Sequence, residues 1–379
     1  MLVNKRVLAA AAVLGSVALT AACGGGTTAP KPTGQGALAG VCPSTIVIQT
    51  DWFATPERAA AYRLVGPNGT VDVKKGAYSG PLGDTGVNVE VRLGGPFLGG
   101  QPVPAQMYQD NSITLGLVPT DEQVRAKAKF PLTGVFASLN KNPQIVMWDP
   151  ATYTVNSWKD IAATGAPILY SEGKIYMDYL IANGYVKKEQ ADASYDGTPS
   201  RFVAEHGRVM QQAYVSNEPY RWERDVKGWQ KLTGHLLVAD AGYESYPHAW
   251  SVRSGELDKL RPCLQKLVPM LQQSEIDYVT NPDVTNAALL RIAQTILDGP
   301  PITAGGNAAS VPTQLKEKIV ANGTGSTLGG FDLDRVDRAI AQVTPLLRAK
   351  GQQVPDNLAA ADLVTNEFID PAKGLKQQG

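Results

Sequence analysis

The sequence predicts an α/β fold in two lobes, with the first lobe interrupted by the second. Three observations carry this expectation. Short β-branched segments alternate with short helical segments from residue 44 to about residue 240. Four longer helical stretches follow, the first beginning at Gly255. Cys42 opens the alternating part and Cys263 lies in the first late helix, so a bridge between them would join the two. Composition permits such a body and narrows its function. The 379 residues are 43% apolar, enough for sizeable cores rather than disorder. The 35 Lys and Arg balance 35 Asp and Glu, which argues against a nucleic-acid partner, because phosphate neutralisation needs a basic excess. The 3 Cys and 3 His show no CxxC or HxxxH spacing, so no metal site and no cofactor is expected.

Residues 1–22 read as an export signal. Lys5 and Arg6 precede an apolar stretch from Val7 to Ala22, too short for a membrane span of about 20 residues. Leu19-Thr20-Ala21-Ala22-Cys23 resembles the lipobox of bacterial lipoproteins, which implies cleavage before Cys23 and lipidation of its thiol. An ordinary secretory signal cut nearby is the alternative. Residues 23–41, rich in Gly, Pro, Thr and Ala, read as a flexible tether. Export places the remaining cysteines in an oxidising compartment, where Cys42 and Cys263 are expected to pair; the alternative is two separate buried thiols.

Ser44–Gln49 reads as a buried strand, and Thr55-Pro56 as the cap and first position of a helix reaching Leu64. Val87–Leu93 and Ile113–Leu117 read as strands. Pro119–Lys129 reads as a helix, acidic in its first turn and basic in its last. Leu132–Ala137 and Gln144–Trp148 are further strands. Past Asp149-Pro150 the pattern continues with a helix at Trp158–Ala163, a strand at Pro167–Tyr170 and a helix at Lys174–Asn183 stopped by Gly184. Arg201–Gln212 reads as helix, Ala213–Ser216 as strand, Glu218–Asp225 as helix and His235–Ala239 as strand. Gly255–Gln273, Asp283–Leu297, Val311–Val320 and Leu333–Lys350 read as mostly helical. The expected bridge puts these late helices with the first α/β unit. Lobe 1 is then residues 42–148 plus 249–379, lobe 2 is 149–248, and the chain crosses twice, near 146–149 and 247–252.

Three segments resemble a known family. Ile46-Val47-Ile48-Gln49-Thr50-Asp51-Trp52, running on to Ala60, is similar to the opening of ABC-transporter substrate-binding proteins of the nitrate/sulfonate/taurine and thiamine-precursor family. Asn217-Glu218-Pro219 resembles that family's Asn-Glu-Pro after a late strand of the second lobe. Leu363-Val364-Thr365-Asn366-Glu367-Phe368-Ile369 resembles its C-terminal tail. The resemblance implies a type II periplasmic binding protein fold, two lobes joined by two crossovers, with the helical C-terminal part packed on lobe 1. It further implies a monomeric receptor, held outside the cytoplasm on the bacterial cell membrane by the lipid on Cys23. The receptor closes on a small molecule and passes it to an ABC permease and its ATPase.

Candidate ligand contacts sit at strand ends, where open α/β sheets bind ligands. Trp52 is either an aromatic platform for a flat ligand or a core residue packing the first helix. Asn217 and Glu218 either accept hydrogen bonds from an amino or amidine group or simply begin a helix. Ser171, Glu172 and Gly173 offer backbone N–H groups at a strand-to-helix turn, or form a plain turn. Tyr170 shares the strand end. Tyr243, Tyr246 and His248, near the return crossover, either line the cleft or pack at the hinge, and packing is the preferred reading. The expected ligand is flat and nitrogenous, such as a thiamine pyrimidine precursor. Nitrate, an alkanesulfonate or taurine is the alternative, and an enzyme like the pyrimidine synthase of this fold is a further one. No nucleophile elbow, Walker loop or zinc-helix motif appears, so binding without bond chemistry is expected.

Overall fold

The computed structural model describes residues 35–300, 302–323 and 325–376. The signal segment 1–22, the lipidation candidate Cys23 and most of the tether lie outside the described residues. The strands are β1 (Thr45–Gln49), β2 (Thr70–Asp72), β3 (Ala77–Pro81), β4 (Asn88–Arg92), β5 (Ile113–Val118), β6 (Leu132–Ala137), β7 (Gln144–Trp148), β8 (Ile168–Leu169), β9 (Ala191–Asp192), β10 (Met210–Tyr214), β11 (Gly234–Leu237) and β12 (Ala249–Arg253). They form two sheets, in the orders β2-β3-β4-β1-β5-β12-β6 and β11-β7-β10-β8-β9. The helices are α1 (Ala59–Val65), α2 (Val103–Gln109), α3 (Thr120–Ala126), α4 (Trp158–Thr164), α5 (Ile175–Ala182), α6 (Ser200–Ala204), α7 (Glu218–Arg224), α8 (Leu257–Thr280), α9 (Asp283–Thr295), α10 (Ala304–Lys316) and α11 (Leu333–Ala349). No described helix is long and apolar enough to cross a membrane.

The centre of the first sheet follows from its sequence. β1 is β-branched on both faces, lies parallel between β4 and β5, and is buried from Ile46 to Gln49. One face is covered by α1, against which α8 lays an apolar stripe that includes Leu264, Leu267, Val268 and Leu271. Ser274 Oγ of α8 donates to the Ala60 carbonyl at 2.8 Å, fixing the register of this contact. Cys42 and Cys263 form the expected disulfide, with Cα atoms 4.8 Å apart. The C-terminal tail docks on β6, where Gly134 N–H donates to Leu363 O and Thr365 N–H donates to Gly134 O.

Several expectations are corrected. β7 pairs with β10 and β11, so Gln144–Trp148 belongs to the second sheet and the first crossing falls between Ala137 and Gln144, not at 148. The tether ends before 41: Leu38 is fully buried in the lobe 1 core, and its N–H donates to Thr85 O. The helix expected over 201–212 stops at Ala204. His206 and Gly207 take positive φ, ending it, and Met210–Tyr214 turns into β10. A side chain at Gly207 would lie 2.6 Å from Asp149 Cβ, so the chain needs glycine there. β2, β3, β9, β12 and α2 were not expected, and the helix expected at Val311–Val320 runs instead over Ala304–Lys316. The late helices also reach further than lobe 1: α8 and α9 pack on α1, while α10 touches α7 and α11 packs on both α3 and α5.

Candidate ligand-binding cleft

A cavity of about 60 Å³ lies between the two lobes. Lobe 1 lines it with Asp51, Trp52, Thr55, Glu57 and Arg58, from the segment that leaves β1. Lobe 2 lines it with residues that include Ser171, Lys174, Tyr195, Gln212, Tyr214, Asn217 and Glu218. The β1 exit is held by Thr50, whose hydroxyl donates to Trp52 O at 2.7 Å and Arg92 O at 2.9 Å. Trp52 meets Phe53 edge to face at 5.9 Å. Its ring sits over Gly95, where a Cβ would come within 2.6 Å. Its far edge faces the second lobe, 3.6 Å from where a Cβ on Gly197 would stand.

The second wall is built on β10. Gln212 Oε1 accepts from Ser171 N–H and Tyr176 Oη, both at 2.8 Å, and Gln212 Nε2 donates to Ser171 Oγ at 3.0 Å. Asn217 precedes α7, and Glu218 opens it. The Glu218 Oε2 accepts from Tyr214 N–H at 2.7 Å, so the helix-start reading holds alongside the cleft position. Burial pushes the Glu218 carboxyl up, with Arg221 opposing.

Charge at the lobe 1 wall is concentrated and mostly internal. Arg58 is buried, donates from Nε and Nη2 to the two oxygens of Asp51 at 2.7 and 2.8 Å, and reaches Thr55 Oγ1 at 3.1 Å. Burial alone would raise the Asp51 carboxyl, but the charge and hydrogen bonds of Arg58 outweigh it and hold it well below the usual carboxylate range. His248 is fully buried; burial first, then Arg58, pushes it down to about 3, so its ring is neutral. Its Nδ1 lies 3.1 Å from the Glu57 carbonyl, which can only accept, so the proton is assigned to Nδ1. Facing this wall, the Lys174 ammonium has no hydrogen bond or ion pair among the described residues, although its charge acts on Asp51.

Of the sequence-predicted contacts, Trp52, Ser171, Asn217 and Glu218 meet in the cleft. Tyr170 and Gly173 do not line it. Tyr170 N–H pairs with Asp192 O, and its ring packs with the lobe 2 core. The Gly173 carbonyl accepts from Arg125 Nη2 across the lobes at 2.6 Å. The backbone anion site expected over Ser171–Gly173 loses its first donor, because Ser171 N–H is spent on Gln212. Asp51, Glu57, Arg58, Lys174, Gln212 and Tyr214 were missed. A usable signal was present: three charged residues, Asp51, Glu57 and Arg58, interrupt an otherwise apolar stretch directly after the first strand.

Two α/β lobes, crossed by the chain and enclosing one polar cleft with an aromatic edge, define the periplasmic binding protein fold. No protein-family model matches the chain, and no curated protein matches it in sequence. Solved structures do. The periplasmic aliphatic sulphonate binding protein SsuA of Escherichia coli is 13% identical with a TM-score of 0.56, covering 89% of this chain and 96% of its own. The alkanesulfonate-binding SsuA of Xanthomonas axonopodis pv. citri, bound to MOPS, is 12% identical with a TM-score of 0.55, covering 85% and 98%. A putative sulfonate-binding SsuA of Methylobacillus flagellatus is 10% identical with a TM-score of 0.52, covering 86% and 92%. At such identities the likeness establishes the fold.

Proposed function

We propose that the protein is a solute receptor that captures a small molecule by lobe closure and delivers it to an ABC importer, tethered outside the cytoplasm through a lipid on Cys23. One observation carries this reading: the cleft is walled by both lobes, so a molecule bound there contacts both and favours the closed state. The site binds and does no bond chemistry. Its preferred ligand is flat and nitrogenous, as an aminopyrimidine is, with Trp52 as platform and Glu218 as acceptor. Lys174 supports a second reading, an alkanesulfonate or nitrate, because it is a cleft cation without an ion-pair partner among the described residues. A thermal-shift screen against aminopyrimidines, alkanesulfonates, taurine and nitrate tests both. A ligand at 100 times its Kd should add about 2.7 kcal/mol. Stabilisation by none of these classes would contradict the receptor reading.

A further inference from the structure

Glu57 lines the cleft from the single turn Pro56–Arg58, yet is only 2% exposed. Its two carboxylate oxygens are used unequally. Oε1 accepts from Ser216 Oγ at 2.5 Å, and Ser216 stands just past β10 in the other lobe. Oε2 is buried and has no hydrogen-bond partner among the described residues. A buried carboxylate oxygen without a donor is costly, and native structures keep one only for a reason. The neighbouring side chains do not supply the donor. Arg58 is spent on Asp51 and Thr55. His248 gives its Nδ1 proton to the Glu57 carbonyl, which leaves Nε2 as a second buried acceptor without a partner. Asp51 differs from Glu57 in that both its oxygens already accept from Arg58, whereas Glu57 Oε2 accepts from no group among the described residues. Glu57 Oε2 and His248 Nε2 are therefore buried acceptors without a donor among the described residues, and the Lys174 ammonium is the unpaired cation facing them across the cleft.

We infer that Glu57 is a specificity-determining residue: its free oxygen takes an N–H donor of the bound molecule, and its other oxygen, through Ser216, ties that contact to lobe closure. The inference rests on the receptor reading and names the ligand class as one bearing an N–H donor: an amine, an amidine or an amino-substituted ring. A molecule without a donor leaves Oε2 unpaired inside a closed cleft, and that cost is the basis of discrimination.

Four probes separate this donor requirement from the flat-ligand reading. 4-Amino-2-methylpyrimidine is flat with a donor, and 2,4-dimethylpyrimidine is flat without one. Taurine carries a donor but is not flat, and ethanesulfonate has neither property. Calorimetric titration should show at least one donor probe binding about tenfold or more tighter than its donor-free counterpart. In Glu57→Gln that preference should fall to within about threefold. The ligand-free variant should keep or raise its thermal midpoint, because a buried unpaired oxygen has been neutralised. Ser216→Ala keeps the donor preference but weakens the donor probe. If taurine alone binds and depends on Glu57, the inference stands and the flat-ligand reading fails. A donor preference unchanged in Glu57→Gln, equal binding of donor and donor-free probes, or no binding of any probe would overturn it. Unaltered donor affinity in Ser216→Ala would overturn the link to closure.

Discussion

Glu275 on α8 is 2% exposed, and burial, with no opposing charge among the described residues, pushes its carboxyl up to about 8. A carboxyl raised on folding binds its proton more tightly in the native state. The stability it contributes is present below its ordinary value near 4.5 and is lost as pH rises through 8. His248 works from the other side: lowered to about 3 from 6.5, it must charge in acid, so stability falls as pH drops from 6.5 toward 3. Glu275→Gln is expected to gain stability over the native protein by on the order of a few kcal/mol more at pH 8 than at pH 5. Urea unfolding at the two pH values checks this, and an equal difference at both would contradict it. In the cleft, Trp52→Ala and Glu218→Gln should each weaken binding of the ligand found by the screen about tenfold. Calorimetry reads this directly, and unchanged affinity in both would remove these residues from the site. Trp52 was legible because an aromatic residue stands three positions past the end of a buried strand. Glu57, Lys174 and Gln212 were not, because only tertiary folding brings three separate segments to one cavity.

At the scale of elements, the Cys42–Cys263 bridge joins the entrance of β1 to α8 across 221 residues. In the chain-entropy model a loop of that length contributes about 5 kcal/mol. Replacing both cysteines by serine should lower the denaturant midpoint accordingly, and an unchanged midpoint would show that the α1–α8 packing needs no bridge. Most strands and the late helices were legible from β-branched runs and apolar stripes. The misreadings share a physical cause. Arg201–Gln212 is composed mostly of residues a helix accepts, but Gly207 breaks the run, and the positive φ at His206 and Gly207 ends the helix there. β12 was missed although Trp250-Ser251-Val252-Arg253 alternates: it is only five residues long, lies between β5 and β6 and is buried along its whole length, polar residues included. The assignment of Gln144–Trp148 to lobe 1 failed because sequence order cannot say which sheet a buried strand joins.

For the whole molecule, the lobes already touch through protein groups, Glu57 with Ser216 and Arg125 with the Gly173 carbonyl. Ligand adds to these contacts, and closure is a population shift whose size equals the ligand's differential affinity for the closed state. Tethering belongs to this scale too. Cys23→Ser should move the protein from the membrane to the soluble fraction, and continued membrane retention would contradict lipid anchoring. The central claim, one ligand held by both lobes, is tested most directly by hydrogen–deuterium exchange with and without saturating ligand. The account predicts simultaneous protection of residues 51–58 in lobe 1 and of residues 171–174 and 212–218 in lobe 2. Protection confined to one lobe, or to the outer face of α8 and α9, would contradict it.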